Sequence, residues 1–280
     1  MSIREYIELV SNYIDFISFC VGAKLTPQDI HIDRLSRAEE VAAVERQTYR
    51  GDYSVFYVWP EAEIDARDLW VGGSPVRAWD EEELSGLRAC LLAWMGRVNV
   101  WKKSYAMMTG SFALRNTVST ERLINACRWF EEIPIASAQS ALSDAHMDAI
   151  ANAATECAEK LGHPSAIRER ITGAISRIKA ESAEAHFTRL VTMIEKAFGK
   201  SILPQNAVLH LRRAIHLRGK SAHKHFDPKS DEEFRAFTKS ILAMEAVCYL
   251  LTALDLPMLE MGKERMRHNA LVKDYSLAYE

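Results

Sequence analysis

Apolar residues recur at helical spacing over residues 4–21, where Ile7, Val10, Ile14 and Ile17 share one face. Residues 53–59, YSVFYVW, are dense in β-branched and aromatic types and predict a strand. Gly72-Gly73-Ser74-Pro75 marks a turn, and helical periodicity returns near 80–110 and 119–131. Beyond that the pattern is helical throughout, over 139–161, 165–178, 182–198, 204–226 and 230–253. Gly162-His163-Pro164, Gly199, Pro204 and Asp227-Pro228-Lys229-Ser230 break it. Ser230 and Glu233 form a capping-box pattern, and Asp231, Glu232 and Glu233 suit the positive end of a helix dipole.

The fold class expected is mainly α: a smaller mixed helix/strand region over 1–134, then a helical bundle over 135–280. The boundary is set at Glu131-Glu132-Ile133-Pro134, because proline disfavours helix in the residue before it. All six tryptophans lie before residue 130, whereas seven of the nine histidines lie after 160. The tryptophans are expected in the core of the first part and in its packing onto the second. No internal repeat is visible.

Composition narrows the picture. Hydrophobic residues make up 48% and charged residues 26%, as in globular proteins generally. The formal net charge is -3, so a nucleic-acid surface would have to be a local patch. The N-terminal residues carry Arg4, Glu5 and Glu8 where a signal peptide needs an apolar run. Residues 241–254, ILAMEAVCYLLTAL, contain Glu245 and fall short of the roughly 20 residues of a membrane span, so a buried helix is expected. Cys20, Cys90, Cys127, Cys157 and Cys248 show no paired spacing, which predicts reduced core thiols in a cytoplasmic protein.

Residues 209–226 contain no acid but hold Arg212, Arg213, Arg218, Lys220 and Lys224 with four histidines. On a helix at about 100° per residue, Val208, Leu211, Ile215, Gly219, Ala222 and Phe226 form the expected buried seam. The small Gly219 and Ala222 would admit a close neighbour there. Arg218 lies on one flank with His225, and His223 lies on the other with His216. Arg213, Lys220 and Lys224 point away. A solvated face explains the lysines but not the missing acids.

Arg218 and His223 spell R-x4-H, a pairing suited to RNA cleavage by the substrate's own 2′-hydroxyl. Histidine can exchange a proton near neutral pH, and arginine can stabilise charge on an in-line phosphorane. Arg213, Lys220, Ser221, Lys224 and His225 are the candidate contacts to flanking phosphates. Set late in a bundle helix and followed by a long apolar helix, this motif resembles that of HEPN domains. The preceding CRWFEEIP (127–134) and the alanine-rich helix after it most resemble the ApeA-like branch of bacterial defence proteins.

That resemblance covers roughly 135–255. It implies a metal-independent, cofactor-free endoribonuclease, active as a homodimer through the bundle, that leaves a 2′,3′-cyclic phosphate and a 5′-hydroxyl. Arg218 and His223 would be catalytic and RNA the partner, with no membrane involved. The apolar surface of 241–254 would help hold the dimer. The chain has Gly219 where many members carry a polar residue, and His225 where the nucleotidyltransferase-controlled toxins carry tyrosine.

Two other readings remain. One is a non-catalytic HEPN module that binds RNA or a partner. The other is a metal hydrolase using His223, His225 and Asp227, although histidines two apart diverge by about 200° on a helix. Gly72-Gly73-Ser74-Pro75 lacks the lysine and following helix of a phosphate loop, and Ser140, Asp144 and His146 lack a nucleophile-elbow context. Glu181, Glu184 and His186 read as a surface row of charges rather than as partners of the basic helix.

Overall fold

A computed structural model describes residues 3–26, 31–32, 53–54, 73–77, 80–176, 180–221 and 227–278. Its helices are α1 (Ile3–Val21), α2 (Glu81–Ala113), α3 (Thr120–Glu131), α4 (Asp144–Lys160), α5 (Ser165–Ser176), α6 (Ala183–Phe198), α7 (Ala207–Ser221), α8 (Asp231–Ala253), α9 (Glu260–Arg265) and α10 (Ala270–Leu277). Two short strands, β1 (His31–Ile32) and β2 (Tyr53–Ser54), pair antiparallel. The chain is mainly α. The rest of the strand expected over 53–59 lies outside the described residues.

Local chemistry sets the helix ends. The side chains of Asp80, Ser119, Ser143, Ser182 and Ser230 each accept a bond from an amide three residues on, so five N-termini are capped. At α8 the box is displaced by one residue. Ser230 Oγ accepts from Glu233 N at 3.2 Å, but the Glu233 carboxylate takes the amide of Lys229 at 2.8 Å instead of that of Ser230. After α6 the chain turns at Gly199, whose φ of 98° a side chain would resist.

α8 is the centre of the bundle. From Ala243 to Ala253 every residue is buried, and α3, α6, α7 and α10 pack around it. The helix is long and apolar enough to cross a membrane by composition, yet most of that apolar window lies inside the protein. The buried-helix reading of 241–254 therefore holds. Most of that stretch is covered by the chain's own helices.

The expected boundary at 134 falls on a short 3-10 turn, Pro134–Ala136. Side chains from both sides of it share one core: Phe16, Phe19, Trp94 and Trp129 before, Leu190, Leu211, Val247 and Tyr275 after. Trp94 stacks on Tyr105 at 3.8 Å between ring centres, and Phe19 stacks on Tyr249 at 4.8 Å. The indole N–H of Trp94 donates to the Asn12 carbonyl at 3.2 Å. Trp94, Trp101 and Trp129 are core residues as expected; Trp59, Trp70 and Trp79 lie outside the described residues.

α4 and α5 are the exception. They pack on each other and add nothing to the central core. This two-helix arm is tied at its root, where Ser140 and Ala180 form an antiparallel bridge and Gln139 and Glu181 exchange two bonds of 2.9 Å. Arg189 clasps the Glu181 carboxylate at 2.6 Å and holds its pKa down at about 2.

Candidate functional site at the end of the basic helix

α7 buries Ala207, Leu211, Ala214 and Leu217, a face rotated from the expected one. Val208 and Ile215 are only partly buried, and Gly219 is exposed with open space where its side chain would be. Among the described residues no helix packs against Gly219. Ala207 and Ala214, which the expected seam left out, are buried on this face. Ala222 and Phe226, the remaining seam residues expected, lie outside the described residues.

The helix is described as far as Ser221. His223, Lys224 and His225 lie outside the described residues, so the pairing of Arg218 with His223 has no geometry here. Of the candidate metal trio only Asp227 is described, and it is exposed. Among the described residues no group of three or more histidine, cysteine or acidic side chains converges as a metal site.

The positive charge that looked uncompensated in sequence is partly met by other helices. Glu131, the last residue of α3, pairs with Arg218, its Oε1 and Oε2 both receiving Nη2 at 3.0 and 3.1 Å. Glu184, in the first turn of α6, takes Arg212 Nη1 at 2.9 Å. Glu184 thus faces the basic helix, against the expected row of surface charges. Glu181 and His186 serve elsewhere: Glu181 at the arm's root, His186 with Nε2 2.7 Å from the Ala136 carbonyl oxygen and its ring stacked on Phe187.

The Arg218–Glu131 pair joins two helix C-termini. An acid is disfavoured at the negative end of a dipole, so Glu131 gains from a cation, and Arg218 suits the end of its own helix as well. The pair is open to water, with side chains 38% and 46% exposed. Nε and Nη1 of Arg218 have no bonding partner among the described residues. Beneath it, burial pushes the Cys127 thiol up to about 12, which makes it inert as a nucleophile. Cys20, Cys90 and Cys248 are likewise buried; Cys157, on the arm, is exposed and departs from the expected core thiols.

Arg213 and Lys220 are exposed on α7, with no ion-pair or hydrogen-bond partner among the described residues. Seven residues apart, they sit about 20° from each other around the helix, and about 140° and 160° from Arg218. The candidate phosphate contacts therefore occupy the outer face, while Arg218 reaches the junction with α3. Ser221 closes the helix. Two residues outside the motif also bear on this region. His210 bonds Tyr275 Oη through Nδ1 at 2.8 Å, and its pKa is lowered by burial and by the nearby Lys239 and Arg213 cations. Lys239 sits on α8, so no pattern within the basic helix could have found it. Comparison with family models, with curated proteins and with solved structures finds no match.

Proposed function

We propose that the chain is a metal-independent, HEPN-type endoribonuclease acting in the cytoplasm in bacterial anti-phage or toxin-like defence. On this reading the helices after 134 form a HEPN-like bundle and 1–134 is its mixed helix/strand companion. The observation that carries it is the state of Arg218: a half-exposed guanidinium at a helix end, held by one nitrogen and with donors left over for a phosphate. Arg213 and Lys220 add two further cations on the same helix for flanking phosphates.

In the reaction proposed, the 2′-oxygen of RNA attacks the adjacent phosphorus and the P–O5′ bond breaks. The 2′-hydroxyl proton leaves to a base, the 5′-oxygen gains a proton, and Arg218 offsets charge on the phosphorane. His223 is assigned the proton exchange, and no oxidant or metal is required. A two-fold dimer would bring the motifs of two α7 helices to one cleft. Its contact would draw mainly on surfaces outside 241–254, since most of that stretch is buried in the chain's own bundle.

The second reading, a non-catalytic RNA-binding or partner-binding module, is favoured by the fact that Glu131 already occupies Arg218. One experiment separates the readings. Full-length protein is incubated with end-labelled single-stranded RNA in EDTA. Cleavage to 2′,3′-cyclic phosphate and 5′-hydroxyl ends, lost in both Arg218→Ala and His223→Ala, is the expected result. Binding without cleavage would favour the module. Cleavage abolished by EDTA and restored by Mn²⁺ or Zn²⁺ would favour His223, His225 and Asp227.

A further inference from the structure

We infer that Glu131 is a built-in competitor for the RNA phosphate at Arg218, so that RNA engages this arginine by displacing a carboxylate of the same chain. The inference rests on the proposed role of Arg218 in RNA recognition.

The geometry separates a competitor from a structural clamp. The buried Arg122 is held by a fork: it meets Glu245 through Nε and Nη2, one nitrogen to each carboxylate oxygen, at 2.9 and 2.6 Å. Its Nη1 is also filled, by the carbonyls of Arg115 and Thr117. At Arg218 both carboxylate oxygens converge on Nη2 at 3.0 and 3.1 Å, and Nε and Nη1 have no partner among the described residues. Such a contact is replaceable. A phosphodiester can approach the leftover nitrogens, form a bidentate pair, and then take Nη2 as Glu131 turns to water.

Electrostatics gives the exchange its direction. Glu131 and the following Glu132 stand at the negative end of α3, where neither gains from the helix dipole. Both side chains of the Arg218–Glu131 pair are more than a third exposed, so the released carboxylate is rehydrated readily. A lone anion of small charge gains little over Glu131. A polyanion that also reaches Arg213 or Lys220 gains from several cations at once, and counterion release from the nucleic acid adds to that. The resting pair thus raises the threshold for isolated phosphates while leaving the site open to a chain of them.

The test is fluorescence anisotropy with a labelled single-stranded RNA oligonucleotide on the full chain, comparing Glu131→Gln, Glu131→Ala, Arg218→Ala and the Glu131→Gln/Arg218→Ala double variant. Glu131→Gln should tighten RNA binding about two- to fivefold at low salt, the range set by the strength of an exposed ion pair. Glu131→Ala should do the same, and in the double variant the gain should vanish. If Arg218→Ala weakens binding but neither Glu131 variant tightens it, the competitor role is overturned and the proposed function stands. If Arg218→Ala leaves both binding and cleavage unchanged, both fall.

Discussion

The two ends of α3 each place an Arg–Glu pair against another helix, and they solve opposite problems. Near its start Arg122 reaches Glu245 of α8 with side chains only 5% and 1% exposed. At its last residue Glu131 reaches Arg218 of α7 with both partners half in water. In the first pair every nitrogen of the fork is bonded, as burial demands, because an unpaired buried charge is far more costly than a hydrated one. In the second, among the described residues, only one nitrogen is bonded. The same two residue types therefore lock a core at one end of a twelve-residue helix and leave a chemical handle at the other. Solvent access, rather than residue type, makes the difference.

Breaking the buried pair should give the largest effect. Arg122→Ala or Glu245→Ala strands an unpaired charge against α8 and should destabilise the protein by about 3–5 kcal/mol, read by urea or guanidinium unfolding. Retention of wild-type stability in either variant would mean that water reaches the pair.

An intermediate case sharpens the contrast. Arg189 and Glu181, at the arm's root, are 21% and 11% exposed, and the Arg189 guanidinium holds the Glu181 pKa down at about 2, below its ordinary value of 4.5. A depressed carboxylate pKa gives stability that is present above about 4.5 and is lost as pH falls towards 2. Glu181→Gln should accordingly be less stable than wild type at pH 6, with the two converging as the medium approaches pH 2. Parallel unfolding curves across that window would overturn the assignment.

The smallest effect is expected at the exposed pair. Arg218→Ala should change the unfolding free energy by less than about 1 kcal/mol, whatever it does to RNA. A loss comparable to that of Arg122→Ala would show that Arg218 is part of the scaffold.

These pairs also mark where the sequence stops being informative. Some helix ends were legible because their determinants are local: Ser230 caps an amide three residues away, and Gly199 ends α6 within one turn; the start of α4 was not, since the periodicity ran from 139 and the helix begins after the Ser143 cap. The buried helix over 241–254 was legible from its apolar run. Its one acid, Glu245, gave no hint of its partner, because Arg122 lies 123 residues earlier. The charge balance of α7 was hidden for the same reason, since its acids, Glu131 and Glu184, come from α3 and α6. The buried face of α7 was misread by a rotation about the helix: Ala207, Leu211, Ala214 and Leu217 face inward, because the face that turns in is set by the helices around α7 and not by its own pattern.

The α4–α5 arm has a consequence for motion. Cooperative unfolding units follow shared apolar contacts, and among the described residues no buried side chain of α4 or α5 belongs to the central core cluster. The arm's helices bury little beyond Met147, Ala158 and Ile175 between them. The arm is therefore expected to fray and reform while the bundle stays closed, and hydrogen exchange should show its amides less protected than those of α8. The Ser140–Ala180 bridge sits at the border between the two, where it joins the arm's two ends.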